Sequence, residues 1–259
     1  MVTGGSGYLG RALTQIAAAA GWAVTATSHS TPGPARLDVR DRAQVRALLD
    51  TLRPAAVVHT AYVQQGPGAW DVTATASGVV AEAAAAVGAR LVHLSTDVVF
   101  DGRAGRPYRE LDPVSPLSDY GRAKAEAERL VAAADPGAVI VRTSLIYGGP
   151  GCPPSAHEQA ALDPDATFYT DELRCPAQVD DLAAALLELC GADVAGPLHV
   201  AGPRAVSRAE FAALVAGRPV RGVPAPPGRS LDCRLDSTLA RGALGARLRA
   251  VSDVLATQR

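Results

Sequence analysis

The sequence predicts an α/β protein built on one doubly wound parallel sheet, followed by a small C-terminal region. Three observations carry that expectation. A glycine-rich turn lies within the first ten residues, apolar strand-like segments alternate with Ala-rich helical ones to about residue 148, and the regularity then weakens.

Each element follows from local pattern. Met1 and Val2 lead into Thr3-Gly4-Gly5-Ser6-Gly7-Tyr8-Leu9-Gly10, so the first strand is short. Only two residues precede Thr3 where a parallel strand usually has four or more, so either the chain starts upstream or the strand is clipped. Residues 11–20 read as a helix and 22–27 as a second strand. Helix 45–52 precedes the buried strand 55–60, and helix 79–87 precedes strand 90–95. A long helix over 120–134 carries Ala123, Ala127, Leu130 and Val131 on one side, and strand 138–142 follows. Residues 148–154, rich in Gly and Pro, are irregular. Helix 180–189 starts on an acidic pair, 198–200 is a short strand, and Ser207 with Glu210 spells a capping box for helix 207–216. Two weak helices end the chain. The division expected is 1–148 for a nucleotide-binding domain and 149–259 for a smaller region with one or two chain returns to the main sheet.

Composition narrows the class. The 259 residues support a sizeable core without disulfides; 48% are hydrophobic but only 4% aromatic, so the interior rests on Ala, Val and Leu. With 25 Lys+Arg against 26 Asp+Glu, no broad nucleic-acid or acidic-membrane surface is expected. The cysteines, Cys152, Cys175, Cys190 and Cys233, have no zinc spacing and read as reduced thiols. No metal ligand set is expected. No apolar run is long enough to span a bilayer, and a soluble cytoplasmic protein is the expectation.

Gly4-x-x-Gly7-x-x-Gly10 between a strand and a helix reads as a dinucleotide fingerprint. Gly4 permits the tight turn, Gly7 lets phosphate approach, and Gly10 lets helix pack on strand. The second strand ends in Thr27-Ser28-His29-Ser30, with no carboxylate for adenosine ribose hydroxyls. Hydroxyls and imidazole there suit a 2′-phosphate, so NADP(H) is favoured over NAD(H); the alternative is a wet loop with loose selectivity. Asp38 either borders the adenine pocket or caps the next helix.

Tyr120 and Lys124, four apart on one helix, share a face. Thr96 follows the strand 90–95, in the crevice where such sheets place their chemistry. Lys124 is expected to lower the phenol pKa of Tyr120, Tyr120 to donate a proton to a carbonyl oxygen, and Thr96 to hydrogen-bond that oxygen. Ser95 points to the other face if the strand stays extended. The competing reading of Tyr-x-x-x-Lys is a plain surface helix pair.

Together these segments resemble the extended short-chain dehydrogenase/reductase family, with its Rossmann fold, and within it the dTDP-4-dehydrorhamnose reductase-like branch. The segments that carry the likeness are 3–10, Leu37-Asp38-Val39, Ser95-Thr96-Asp97-Val98-Val99-Phe100-Asp101-Gly102, 116–124 and 141–148, with a looser match over 171–181. The resemblance implies nicotinamide-dependent reduction of a 4-keto group on a nucleotide-linked deoxysugar, with Thr96, Tyr120 and Lys124 catalytic. It implies a cofactor site of Gly4, Gly7, Tyr8, Leu9, Gly10, Ser28, His29, Ser30, Asp38, Val39, Thr60, Ala61 and Tyr62, joined by Tyr120 and Lys124. Thr96, Asp97, Val98, Leu145 and Arg174 are the substrate-side candidates, and a homodimer is the class expectation. The alternatives are a reductase or epimerase on another substrate, or a non-catalytic cofactor-binding subunit.

Departures from the branch pattern bear on substrate. Thr73 stands where Asn is usual, and Val98 and Leu145 stand where Tyr and Trp are common near the sugar. Either the substrate differs or sugar binding persists without the rings. Residues 149–178 offer few cations besides Arg174, with Arg204, Arg208 and Arg229 as further candidates. His59 and His93 read as packed core histidines, and the segment from His157 to Asp165 as solvated. Residues 168–171 are candidates for substrate lining, the Asp180-Asp181 pair reads as a helix cap, and Arg249 as surface charge.

Overall fold

The structure is a computed structural model that describes residues 1–32, 35–149 and 151–256. The first half runs β1 (Val2–Thr3), α1 (Tyr8–Ala19), β2 (Thr27–Ser28), β3 (Ala35–Arg36), α2 (Arg42–Leu52) and β4 (Ala56–His59). A π-helical turn (Asp71–Thr75), α3 (Ala76–Ala86), β5 (Arg90–Thr96), a 3-10 turn (Asp97–Val99), α4 (Asp119–Ala134) and β6 (Val139–Thr143) follow. The second half holds β7 (Ile146–Tyr147), α5 (Ala156–Leu162), β8 (Thr167–Tyr169), β9 (Leu173–Arg174), β10 (Ala177–Gln178) and α6 (Val179–Leu189). Then come β11 (Gly196–His199), β12 (Val206–Ser207), α7 (Arg208–Ala216), β13 (Arg221–Val223), α8 (Thr238–Ala243) and α9 (Val251–Ala256).

The central sheet is parallel throughout, in the order β1–β4–β5–β6–β11. Its other edge continues through β2 and β3. Val2 bridges Ala26, the Val2 amide donates to the Thr25 carbonyl at 2.9 Å, and β3 pairs parallel with β2. The strand order therefore reverses between β1 and β4, which opens a crevice at the carboxyl ends of those strands.

Helices cover both faces because the strands are apolar on both. Leu9, Leu13 and Ala17 of α1 are buried at helical spacing, and Leu9 and Leu13 meet Leu182, Leu186 and Leu189 of α6 in one aliphatic core. The other face packs Val45 and Leu49 of α2 and the Ala-rich α3 against Val57, Leu91 and Ile140. The second half thus returns to the main sheet: α6 covers it and β11 extends it.

Several local expectations change. The expected second strand shrinks to Thr27–Ser28 plus the Ala26 bridge, with Trp22 exposed. Five short strands after residue 148 besides β11 are too brief to show period-two alternation. Ser207 caps α7 through the Glu210 amide, but the Glu210 carboxylate goes to Arg204, so the reciprocal bond is missing. A full capping box sits instead at Ser155 and Glu158. The irregular stretch 148–154 includes residue 150, and the C-terminal region includes 257–259; those positions lie outside the described residues. Among the described residues no helix is long and apolar enough to cross a membrane.

Candidate active site

The glycine-rich turn is built for close approach. Gly4 has φ of +69°, and a β-carbon there would lie 2.8 Å from the Ala61 amide nitrogen. A β-carbon on Gly10 would lie 2.2 Å from the Gly4 carbonyl oxygen, so only glycine lets α1 start here. Gly7 is the N-cap of α1 and provides no side-chain cap, which leaves first-turn amides free for an anion. This turn fits the diphosphate of a dinucleotide.

Thr96 ends β5, and its hydroxyl accepts from the Val98 amide at 3.4 Å. Tyr120 comes beside it because α4 approaches the 3-10 turn closely: a β-carbon on Gly121 would sit 2.4 Å from the Val98 carbonyl oxygen. The Tyr120 ring keeps some exposure, but its hydroxyl is enclosed. Burial raises its pKa above the usual phenol value, Tyr62 and Asp97 add to the rise, and the neighbouring Thr96 hydroxyl opposes it.

Lys124 lies one turn further along α4 and is buried. Its Nζ donates to the Leu94 carbonyl oxygen at 2.8 Å and lies 5.3 Å from the centroid of the Tyr62 ring. Burial lowers the ammonium pKa to about 8, with Glu128 opposing. Ser95 does turn to the other face: its hydroxyl donates to Glu128, which also receives Arg142 at 2.7 Å.

On the substrate side, Asp97 is buried and accepts from Ser144 Oγ at 2.6 Å and from Thr96 Oγ1 at 3.3 Å. Desolvation raises its pKa, against the attraction of Arg174. Arg174 donates to the carbonyls of Leu173, Leu231 and Ser230 and stands 3.7 Å from Asp97 and 3.8 Å from Glu172. Its donors are engaged within the protein. Val98 and Leu145 line the cavity, and Leu145 also joins an apolar cluster with Tyr147 and Phe211.

One cavity of about 450 Å³ gathers Gly4, Gly7, Tyr8, Leu9, Gly10, Thr60, Tyr62, Thr96, Asp97, Val98, Tyr120, Lys124, Leu145 and Arg174. Ala61 borders it through its backbone contact with Gly4, whereas Ser28, His29, Ser30, Asp38 and Val39 stand apart. Ser28 Oγ is taken by Ser6 Oγ and the Thr31 amide, both at 3.0 Å. His29 lies 3.6 Å from the Asp38 carboxylate, which Arg40 holds ionised, its pKa near 2. Asp41, not Asp38, caps α2, and Val39 is buried in the core.

Other cavity residues escaped the sequence reading. Ser144 follows β6, and Glu172 falls in the loosely matched 171–181 block, which was the available signal. The segment 157–165 is not simply solvated: His157 lines the cavity, and buried Glu158 accepts from the amides of Gly148, Gly149 and Ser155 at 2.8–2.9 Å. Phe168 is core, and Asp171 holds the Ala225 amide. Gln178 caps α6, while Asp181 anchors Arg249, which is therefore more than loose surface charge. Thr73 bonds the Val63 backbone in both directions.

The sequence matches the RmlD substrate binding domain family over residues 1–222. It is 39% identical over 207 residues to a dTDP-4-dehydrorhamnose reductase of Streptomyces griseus, covering 76% of this chain and 66% of that one. A reductase of the same name from Mycobacterium tuberculosis is 37% identical, with 80% and 71% covered. The match spans about half, 49%, of a Sinorhizobium fredii relative. A Bacillus anthracis dTDP-4-dehydrorhamnose reductase in complex with NADP superposes with TM-score 0.83 at 24% identity, covering 98% and 94% of the two chains. MoeE5 in complex with UDP-glucuronic acid and NAD gives TM-score 0.81 at 25% identity, covering 99% and 96%. The Bordetella bronchiseptica enzymes WbmH and WbmG, 19% and 20% identical with TM-scores of 0.84 and 0.85, hold NAD. WbmH covers 98% of this chain and 95% of its own, and WbmG 99% and 92%. The expected preference for NADP(H) over NAD(H) is thereby corrected, since NAD predominates among these bound cofactors. The physical reason lies at β2: the Ser28 hydroxyl is already engaged, and the Asp38 carboxylate beside His29 is ionised and would repel a second phosphate.

Proposed function

This chain belongs to the RmlD substrate binding domain family, and from that premise we propose that it reduces a ketone on a nucleotide-linked sugar with a nicotinamide dinucleotide. The finer reading is the 4-keto group of a nucleotide-linked deoxysugar. The observation that carries it is the sharing of one cavity by Thr96, Tyr120, Lys124 and the glycine-rich turn before α1.

Gly4, Gly7, Tyr8, Leu9 and Gly10 with Thr60, Ala61 and Tyr62 would hold the cofactor, and Ser28 to Ser30 with Asp38 and Val39 would border its adenosine end. When bound, the nicotinamide supplies the hydride. Tyr120 keeps its proton in the enclosed site and donates it to the carbonyl oxygen as that oxygen gains charge. The Thr96 hydroxyl orients the same oxygen. Lys124 contributes positive charge behind the phenol and a donor toward the cofactor ribose. Asp97 and Ser144 meet sugar hydroxyls, while Val98 and Leu145 form an aliphatic wall without aromatic rings. Residues 1–148 carry the cofactor side and part of the sugar wall, and 149–259 supply the rest of the substrate side.

The test is oxidation of NADH, with NADPH in parallel, by the full chain on a panel of nucleotide-linked 4-keto sugars. Tyr120→Phe should lower kcat by about 10²- to 10⁴-fold while still binding NADH. Undiminished turnover by that variant overturns the reading.

A further inference from the structure

Among the arginines that line the cavity, the charges are compensated except at one place. Arg174 donates to three backbone carbonyls and stands beside Asp97 and Glu172. Arg229 is bonded to Glu172 and rests 4.8 Å from the centroid of the Tyr169 ring. Arg208, the first residue of α7, is half-buried and lines the same cavity. Among the described residues no carboxylate stands within ion-pair distance of its guanidinium. Its Nη2 instead meets His157 Nδ1 at 3.2 Å.

His157 is neutral: burial, and then the Arg208 charge, hold its pKa down to about 4. A neutral imidazole with its proton on Nε2 accepts from Arg208 through Nδ1 and aims the guanidinium without cancelling its charge. Burial also lowers the Arg208 pKa, with Arg174 and Arg229 adding to the fall and the more distant Glu172 and Asp97 opposing it. Half-buried guanidinium without an anionic partner costs free energy, and a bound anion relieves that cost. Arginine suits phosphate oxygens in particular, through its fork of donors.

We propose that Arg208, aimed by His157 and flanked by Arg229, is an oxyanion subsite for the diphosphate of the substrate. The assignment rests on the reading of the substrate as nucleotide-linked. It places recognition of the phosphates on the α5 and α7 wall of the cavity, away from the glycine-rich turn that would serve the cofactor's own phosphates.

The experiment is calorimetric binding of UDP, dTDP, inorganic pyrophosphate and glucuronate to the full chain, with Arg208→Gln and Arg208→Lys beside the parent. NADH binding reports the fold of each variant. Arg208→Gln should weaken both nucleoside diphosphates and pyrophosphate by about 10- to 100-fold, Arg208→Lys less, and NADH not at all. Unchanged nucleoside diphosphate affinity in Arg208→Gln overturns the proposal. So does a loss confined to glucuronate, which would make the ligand a carboxylate. If Arg208→Gln cannot bind NADH, the comparison passes to Arg208→Lys, and a parent that binds no pyrophosphate overturns the subsite. Pyrophosphate bound through Arg208 without turnover of any nucleotide-linked ketone would sink the functional reading and leave the subsite standing. Full turnover with unchanged KM in Arg208→Gln would do the reverse.

Discussion

Lys124 Nζ donates to the carbonyl oxygen of Leu94, 2.8 Å away, so the cation that would serve Tyr120 is tied to the strand beneath it. Its folded pKa, about 8, lies below the ordinary lysine value of 10.5. Between those values the unfolded chain binds the extra proton, so this group's contribution makes stability rise with pH across the window. Below pH 8 the folded state carries the full cost of that depressed pKa, on the order of 3 kcal/mol. Lys124→Met should therefore be more stable than the parent at pH 7, with the advantage shrinking toward pH 10.5. Urea unfolding of both proteins at pH 7 and 9.5 checks this, and an advantage that grows with pH would refute it.

His59 and His93 stack across β4 and β5 with ring centroids 5.4 Å apart, in register on adjacent strands. His59 bonds Thr3 at 2.6 Å and Ser77 at 3.2 Å, whereas neither ring nitrogen of His93 has a hydrogen-bond partner among the described residues. Burial, reinforced by Lys124, holds His59 down to about 3 and His93 well below its ordinary value. The unfolded chain takes up protons first as pH falls below 6.5, so neither group costs stability above that pH and both destabilise the fold on acidification. At pH 5 the loss from His59 is about 2 kcal/mol, and His93 adds to it in the same direction. His93→Leu should leave stability at pH 7.5 nearly unchanged and flatten the acid limb. Melting curves from pH 7.5 to 4.5 read it directly, and equal acid sensitivity in the two proteins would count against the account.

How much of this was legible depended on the range of the interactions. The turn at Gly4 to Gly10 and the Tyr120–Lys124 spacing are local, and local pattern placed them in one crevice. The cofactor preference failed because Ser28 is spoken for by Ser6 and His29 by Asp38, contacts that the β2 end alone does not disclose. Arg174 looked free for a ligand because its partners, the carbonyls of Ser230 and Leu231, come from a loop more than fifty residues away. Glu158 looked solvated because its role depends on the chain at Gly148 and Gly149 folding back onto α5. Arg208 was only one of several loose cations until α5 and α7 brought it to His157.

Glu128 joins three elements: its carboxylate pairs with Arg142 of β6 at 2.7 Å, receives Ser95 of β5, and stands on α4. Both charged partners are buried. Glu128→Gln would strand the Arg142 guanidinium, at a cost of about 3–5 kcal/mol. It would also remove the charge that supports the Lys124 ammonium, so the alkaline feature tied to Lys124 should move to lower pH. Glu128→Gln with Arg142→Met should recover much of the stability but not the position of that feature. A double-mutant cycle by urea unfolding, paired with pH–rate profiles, separates the two effects.

Gly121 allows α4 to touch the 3-10 turn, with a β-carbon at that position only 2.4 Å from the Val98 carbonyl oxygen. The obstacle is backbone, so Gly121→Ala must move α4 or the turn rather than rotate a side chain. That overpacking costs about 1–3 kcal/mol, a loss visible in the melting temperature. The displaced helix carries Tyr120 away from Thr96, and small displacements of reacting groups cost about 10²-fold in rate. The glycine-rich turn is on other elements, so NADH affinity should persist. A fall in kcat with unchanged NADH affinity is the expected result. Parent-like kcat with the same loss of stability would show that the close approach of α4 serves packing alone.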